Sequence, residues 1–293
     1  MDDVVVFDQV SKSYGGFQLD SLSFSLKKGY IHGFIGPNGA GKTTTIKLMM
    51  NLIKPDTGSI RIFGMDSRHQ GKEIRQRIGF VYAENHFYEY LTVEQMKRVI
   101  ASFYPTWNEA AFNRYLRMFG LPAKRKIRHL SKGMKMKYSI ALALSHDADL
   151  IIMDEPTSGL DPVVPREILE LLSEVIQDEN KTVFFSTHIT SDLEQIADYI
   201  TFIHDGRIRF SQPKDEILDQ YRIVKGAKEL LTPDTRKLFV GLRESPYGFE
   251  GLTIEPDEVR RRFQDQVICE IPSLEEIMVL TVKGHQQTRG EKR

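Results

Sequence analysis

The sequence predicts an α/β fold with a mostly parallel core sheet, and three observations lead to this prediction. Short apolar segments such as "DLIIMD" and "TVFFST" alternate with segments of helical periodicity such as "PREILELLSEVIQ". A glycine-rich loop follows the apolar segment "YIHGFIG" and precedes a helix that starts at Thr43. Buried strands that alternate with helices are typical of a parallel sheet covered on both faces.

Other segments flank this core. The opening segments "VVVFD" and "FQLDSLSFSL" predict an N-terminal antiparallel β-subdomain. Aromatic residues and helical periodicity predict a helical subdomain over about 84–130, with a capping box at Thr92 and Gln95. The sequence from Ser191 with Glu194 has the same capping pattern, and Asp205-Gly206 predicts a hairpin turn.

The chain is expected to contain two structural units. Residues 1–212 carry the α/β pattern, whereas residues 213–293 are charged and weakly periodic. We therefore predict one main domain and a small C-terminal accessory subdomain.

Composition excludes several classes of protein. The 293 residues carry 40 basic and 40 acidic side chains, so no global field recruits nucleic acid or an anionic membrane, and we expect no nucleic-acid partner. The single cysteine, Cys269, excludes an internal disulfide and a cysteine-based metal cluster. The N-terminus is acidic and does not resemble a secretory signal, and no stretch approaches 18 uncharged apolar residues. Contact with a membrane would therefore need a partner.

The glycine-rich segment "GPNGAGKTT" matches the pattern G-x-x-x-x-G-K-[ST] between a strand and a helix. Such a loop binds a nucleoside triphosphate, because its backbone turns inward around the phosphates. Lys42 would neutralise charge on the β- and γ-phosphates, and the Thr43 hydroxyl could be a ligand of Mg²⁺. The residues of this phosphate loop are Gly36, Pro37, Asn38, Gly39, Ala40, Gly41, Lys42, Thr43 and Thr44.

Two further strand ends carry side chains suited to the same chemistry. The apolar segment "DLIIMD" ends in Asp154, whose carboxylate would lie beside Mg²⁺, and Glu155 follows where it could polarise a hydrolytic water. His188 follows "TVFFST", at a strand end from which it could reach a γ-phosphate.

These segments together resemble the motifs of the ATP-binding cassette (ABC) ATPases over about residues 3–210. "GPNGAGKTT" is similar to the Walker A motif, and "LIIMDE" is similar to the Walker B strand with Glu155 as its catalytic residue. "SGLD", which ends at Asp161, resembles the D-loop, and "STH" resembles the switch loop with His188. Tyr14 in "SKSYGG" occupies the place of the aromatic residue that stacks on adenine. The resemblance implies a P-loop ABC ATPase fold with ATP and Mg²⁺ as its cofactors.

The segment "HLSKGMKMKYS" poses an electrostatic question of its own. Ser131 is a suitable N-cap, yet Lys132, Lys135 and Lys137 crowd the helix end whose macrodipole is already positive, so an anion is expected there. "LSKGM" resembles the family signature LSGGQ, in the form that ABC-2-type bacterial exporters have. The resemblance implies that Ser131 and the amide of Gly133 contact the γ-phosphate held by a second ABC ATPase subunit, in a homodimer or a heterodimer.

One departure from the family pattern concerns the Q-loop. In "GFVYAENHFYE", Ala83 stands where the family usually has a glutamine that contacts Mg²⁺. Either Glu84 substitutes as a carboxylate ligand or a water fills the gap. A regulatory or weakly hydrolysing soluble ABC ATPase is therefore the alternative to an active transporter subunit.

The resemblance also implies what the ATPase works with. ATP hydrolysis would drive transport by separate transmembrane permease subunits, with this chain in the cytoplasm on the inner face of the cell membrane. In such exporters the helical subdomain receives the membrane subunit, and its aromatic residues suit either that interface or an internal core. These residues are Phe87, Tyr88, Tyr90, Phe103, Tyr104 and Trp107. The resemblance suggests the export of amphipathic peptides, lipids or drugs.

Overall fold

The computed structural model describes residues 3–84 and 86–290, with side chains as far as Gly284. The strands are β1 (Asp3–Tyr14), β2 (Phe17–Lys27), β3 (Ile31–Ile35), β4 (Thr57–Ile62), β5 (Met65–Asp66), β6 (Ile78–Val81), β7 (Leu150–Asp154), β8 (Thr182–Thr187), β9 (Tyr199–His204), β10 (Arg207–Pro213), β11 (Arg222–Gly226), β12 (Gly241–Ser245), β13 (Gly248–Thr253) and β14 (Val267–Glu270). The helices are α1 (Lys42–Met49), α2 (Gly71–Gln76), α3 (Val93–Ala101), α4 (Glu109–Met118), α5 (Lys132–Ala143), α6 (Val163–Val175), α7 (Thr190–Ile196), α8 (Lys214–Gln220), α9 (Pro256–Phe263) and α10 (Leu274–Gly290). They fall into two units, Met1–Ser211 and Gln212–Arg293.

A six-stranded sheet in the order β10-β9-β3-β8-β7-β6 forms the centre of the first unit. Strands β9, β3, β8, β7 and β6 run parallel to one another. Every residue of β3, β7 and β8 is buried, which explains why these strands are apolar without alternation. The predicted parallel α/β core is confirmed, and the carboxyl ends of β3, β7 and β8 share one edge.

The second sheet of this unit is antiparallel, in the order β2-β1-β4-β5. Its apolar face packs on the central sheet through a line of phenylalanines. The ring centroids of Phe7 and Phe24 are 4.6 Å apart, those of Phe24 and Phe34 5.7 Å, and those of Phe34 and Phe184 5.2 Å. This shared core fixes β3, and with it the loop that follows β3.

The helical subdomain contains the predicted capping box and a second cap that the sequence analysis did not predict. Thr92 and Gln95 form both hydrogen bonds of a capping box at the start of α3. Asn108 caps α4 by accepting a hydrogen bond of 2.9 Å from the amide of Ala111. Tyr138 of α5 fastens this subdomain to the core, because its buried hydroxyl donates to the carbonyl of Val93 at 2.8 Å.

The turn between β9 and β10 is confirmed at Asp205-Gly206, both with positive φ (48° and 68°) as a two-residue hairpin turn requires. A Cβ on Gly206 would lie 1.8 Å from the carbonyl oxygen of Gln18, so only glycine fits. The capping box predicted at Ser191 is wrong. Helix α7 begins at Thr190 and has Ile189 as its N-cap residue, without a side-chain cap.

The second unit contains an antiparallel sheet in the order β12-β13-β11-β14. One face packs on α9 through Val224, Phe249 and Phe263. Helix α10 lies so close to β12 that a Cβ on Gly241 would be 1.9 Å from the carbonyl oxygen of Leu280. None of the helices in the described part of the chain is both long enough and apolar enough to span a membrane.

Candidate functional site

The phosphate loop connects the end of β3 to α1 in a tightly turned conformation. Gly39 and Gly41 have φ of +79° and +114°, which favour glycine. A Cβ on Gly36 would lie 2.3 Å from the carbonyl oxygen of Ile203, so the neighbouring strand also excludes a side chain there. No side chain caps the N-terminus of α1. The amide groups of its first turn are therefore able to donate hydrogen bonds to an anion.

Lys42, the first residue of α1, turns its ammonium group back over this loop. The side chain is buried, and Nζ donates a hydrogen bond of 2.8 Å to the carbonyl of Gly36. Nζ also lies 3.2 Å from Oε1 of Glu155. The loop thus holds a positive charge directly above its own backbone.

Thr43 and Asp154 meet although 111 residues separate them. The Thr43 hydroxyl donates to Oδ2 of Asp154 at 3.1 Å. Oδ1 of Asp154 and the hydroxyl of Ser186 are buried and have no hydrogen-bond partner among the described residues. Burial raises the pKa of the Asp154 carboxyl, and the hydrogen bond from Thr43 opposes this rise.

This pair of side chains fits Mg²⁺. A hydroxyl and a carboxylate with an unused buried oxygen are hard ligands, and Mg²⁺ is commonly held by one or two such groups together with phosphate oxygens. Within residues 3–84 and 86–290, no cluster of three or more His, Cys, Asp or Glu side chains could hold a metal ion by itself.

The carboxylate of Glu155 lies between the side chains of Lys42 and His188. Its backbone is in the left-handed region with φ of +50°, an uncommon conformation that clusters at functional sites. Its amide donates to the carbonyl of Ser186 at 2.8 Å, which fixes it at the end of β7. Oε2 lies 2.6 Å from Nδ1 of His188, while Oε1 faces Lys42. The structure thus brings together the three residues predicted as catalytic.

Sequence reasoning missed Asp192 and Thr157. The Thr157 hydroxyl donates to Oδ2 of Asp192 at 2.7 Å, and both side chains are buried. Burial raises the pKa of Asp192. The contact ties the loop after Glu155 to the helix after His188. An aspartate in the first turn of a helix is common, so the sequence contained no signal that distinguished this one.

A cavity of about 720 Å³ lies beside these groups, between the phosphate loop and the ends of β6, β7 and β8. Ala83 and Glu84, the residues aligned with the Q-loop, are on its wall. Tyr14 is exposed at the end of β1 and is not on the wall, whereas Phe17 is. Asp161 is exposed before α6 and is also away from the wall.

The N-terminus of α5 has the predicted cap. The Ser131 hydroxyl accepts a hydrogen bond of 3.2 Å from the amide of Met134. Gly133 packs against α6, since a Cβ there would lie 3.1 Å from Cγ2 of Val164. Neither Ser131 nor Gly133 is among the described residues that line the cavity of the same chain.

The aromatic residues of the helical subdomain divide into two groups. Phe87, Tyr104 and Trp107 are half-buried and pack against the buried residues Tyr138, His146 and Phe112 respectively. Tyr88, Tyr90 and Phe103 are exposed by 55%, 64% and 69%. An internal core and a surface aromatic group are therefore both present.

Comparisons with known proteins agree with this geometry. A model of the ABC transporter family matches residues 19–158. The bacitracin transport ATP-binding protein BcrA of Bacillus licheniformis is 37% identical over 225 residues, which are 76% of this chain and 74% of that protein. The ABC transporter ATP-binding protein YtrB of Bacillus subtilis is 30% identical over 214 residues, 73% of each chain.

Solved structures show the same similarity. The ATP-binding subunit of an ABC transporter has a TM-score of 0.68 at 31% identity, over 74% of this chain and 92% of that one. The cassette MJ0796, solved as a dimer bound to ADP and phosphate, has a TM-score of 0.64 at 25% identity, over 71% of this chain and 98% of that one.

Proposed function

Since the chain belongs to the family of ABC transporter ATP-binding proteins, ATP is its substrate, and we propose that the cavity at the end of β3 is where it binds and hydrolyses ATP. The observation that carries this proposal is the convergence of Lys42, Glu155 and His188 on one cavity with the Thr43–Asp154 pair. These groups come from three strand ends, which is where ligands bind in open α/β sheets.

The phosphate loop would bind the triphosphate through its backbone, with Lys42 exchanging its contacts to Gly36 and Glu155 for phosphate oxygens. Thr43 and Asp154 would hold Mg²⁺, which neutralises charge on the β- and γ-phosphates when it is bound. Glu84, on the cavity wall, would contribute a further oxygen either directly or through a water in place of the glutamine that Ala83 replaces.

Glu155 would orient the attacking water. The water oxygen forms a bond to the γ-phosphorus while the bond to the leaving oxygen of ADP breaks. Glu155 accepts a hydrogen bond from this water through Oε1 once phosphate engages Lys42, and His188 holds Oε2 in place. Tyr14 would contact the adenine from its exposed position at the end of β1.

We propose that a second ABC ATPase subunit completes each site. Ser131 and Gly133 lie at a positively polarised helix N-terminus, and neither lines the cavity of its own chain, although Lys132 between them does. They would contact the γ-phosphate bound by the partner, and Asp161 of the D-loop would lie at the interface. The dimer of MJ0796 with ADP and phosphate supports this arrangement.

The chain would act with separate transmembrane permease subunits on the cytoplasmic face of the cell membrane. The exposed aromatic group of Tyr88, Tyr90 and Phe103 would receive them, because large exposed aromatic side chains mark protein interfaces. By similarity to the bacitracin transport proteins, the cargo would be an amphipathic peptide, lipid or drug that is exported.

Two variants test the site. Lys42→Ala should abolish ATP binding in a nucleotide titration, while Lys47→Ala, which removes an exposed lysine of the same helix, should bind ATP normally. Glu155→Gln should bind ATP without hydrolysing it and should form a stable dimer with Mg²⁺-ATP, measured by light scattering. A monomeric Glu155→Gln chain at saturating ATP would contradict the proposal.

The alternative function is that of a regulatory or weakly hydrolysing ATPase, and the observation that favours it is Ala83 on the cavity wall. Steady-state turnover in the presence of the membrane subunits separates the two functions. Sustained turnover that the membrane subunits stimulate supports the transporter, whereas single-turnover behaviour supports the alternative.

A further inference from the structure

We propose that Lys132 is a positioning residue that couples the two ATP sites of the dimer, by joining the N-terminus of α5 to the D-loop, residues 158–161. Its Nζ donates hydrogen bonds to the carbonyl oxygens of Ser158 at 2.9 Å and Gly159 at 3.3 Å. This coupling rests on the proposed function, since it assumes that Ser131 and Gly133 contact ATP bound by a partner subunit.

The charges around α5 explain why this lysine differs from its neighbours. Lys135 forms an ion pair of 2.7 Å with Glu89, and Lys137 forms one with Glu167. No carboxylate of the described residues forms an ion pair with Lys132. Its ammonium is instead satisfied by carbonyl dipoles, and hydrogen bonds with one charged partner are stronger than neutral ones.

The D-loop has the shape that this contact needs. Gly159 has φ of +65°, and a Cβ there would lie 2.8 Å from Nζ of Lys132. On the other side of the same helix end, Gly133 packs closely against Val164, in the helix that follows the D-loop. The N-terminus of α5 is therefore joined to this segment by a polar contact and by a packing contact.

From the D-loop the connection continues to the catalytic carboxylate. The amide of Ser158 donates to the backbone carbonyl of Glu155 at 3.2 Å. Lys132, Ser158 and Glu155 all line the cavity next to Lys42. One end of this series of hydrogen bonds contacts the partner's ATP, and the other end positions the residue that hydrolyses the chain's own ATP.

The first test measures the contact between Lys132 and the D-loop in the full-length chain without nucleotide. Lys132→Met keeps the length of the side chain and removes its charge and donors. Loss of these charge-assisted hydrogen bonds should accelerate hydrogen exchange at the amide of Ser158, which donates to the carbonyl of Glu155, by about tenfold. Lys132→Arg should restore slow exchange, and Lys135→Met, the charge-matched control on the same helix, should exchange like the wild type.

The second test measures coupling. In Lys132→Met the Hill coefficient of ATP hydrolysis should fall toward one, while Lys135→Met should keep the Hill coefficient of the wild type. Unchanged exchange at the D-loop, or an equal acceleration in Lys135→Met, would overturn the proposal. An unchanged Hill coefficient would do the same.

These outcomes differ from a failure of the proposed function. If the wild-type chain did not bind ATP, or if Glu155→Gln did not dimerise, the shared site would be refuted. This would hold at any measured rate of amide hydrogen exchange in the D-loop. If both held and Lys132→Met behaved like the wild type, only the coupling role of Lys132 would be refuted.

Discussion

His32 of β3 should make the stability of the first unit depend on pH. The side chain is only 2% exposed, in the strand that leads into the phosphate loop. Its Nε2 donates to the carbonyl of Lys27 at 2.9 Å, and the ring stacks on Tyr199 with centroids 5.0 Å apart. Burial lowers the pKa of His32 from 6.5 to about 4.

The direction of the effect follows from which state binds the proton. Between pH 6.5 and about 4, the unfolded chain holds a proton on His32 that the folded chain does not. The free energy of unfolding therefore falls as the pH is lowered through this window, and it is unaffected by His32 above and below it. For a single site with these two pKa values, the loss between pH 7.5 and pH 5.0 is about 2 kcal/mol.

The assay is urea unfolding followed by the fluorescence of Trp107, the one tryptophan of the sequence. His32→Gln keeps an N–H donor for the carbonyl of Lys27 but does not titrate. The difference in unfolding free energy between the wild type and His32→Gln should change by about 2 kcal/mol between pH 7.5 and pH 5.0. Burial also lowers the pKa of His146 to about 4, but this contribution is common to both proteins and cancels.

The control is His69→Gln, which replaces an exposed histidine and should follow the wild type at every pH. If His32→Gln lost as much stability as the wild type over this range, the buried histidine would not be the cause of the pH dependence, and the reasoning would be refuted.

Two further predictions concern buried hydroxyl groups. Tyr138→Phe removes the side-chain hydrogen bond to the buried carbonyl of Val93 and should lower the free energy of unfolding by about 1 kcal/mol in a denaturant titration, whereas Tyr90→Phe at an exposed position should have no effect. Equal stability of the two variants would contradict this. Thr157→Val removes the partner of the Asp192 carboxylate and should lower kcat with little change in ATP affinity, and Thr157→Ser should restore kcat. A Thr157→Val enzyme with normal kcat would show that this contact does not position Glu155.

The sequence predicted those parts of the site that depend on local order along the chain. The phosphate loop needs a strand, a turn and a helix in succession, and Asp154 and Glu155 need only the end of an apolar strand. Prediction from local order was wrong for the cap of α7, where a neighbouring side chain forms a hydrogen bond with the backbone before the predicted cap. Before α7, the hydroxyl of Thr187 accepts a hydrogen bond of 2.9 Å from the amide of Ile189. The chain therefore enters the helix at Thr190, and Ser191 lies inside it.

Contacts between residues that are distant along the chain could not be predicted from local sequence patterns. Lys132 and Ser158 are 26 residues apart, and Thr157 and Asp192 are 35 apart, so only the folded sheet brings each pair together. The strands of the second unit were missed for a different reason. They are only four to six residues long, and cross-strand pairs such as Arg243 with Glu250 place charges within them. Charge and short length together hide the alternation that indicates a strand.

Under the proposed function, the ion pair between Lys42 and Glu155 would give ATP a direct role in preparing its own hydrolysis. Oε1 of Glu155 lies 3.2 Å from the Lys42 ammonium, while Oε2 is held by His188 at 2.6 Å. Phosphate oxygens that bind Lys42 compete with Oε1 for the same ammonium, and the more highly charged triphosphate competes best. In this scheme Oε1 would become free to accept a hydrogen bond from water only when phosphate is bound. Because the amide of Ser158 donates to the carbonyl of Glu155, the proposed D-loop contact would adjust the position of the same residue from the backbone side. Under the proposed function, the substrate would act on the carboxylate of Glu155 and the partner subunit on its backbone, and both would have to be in place before Glu155 orients water.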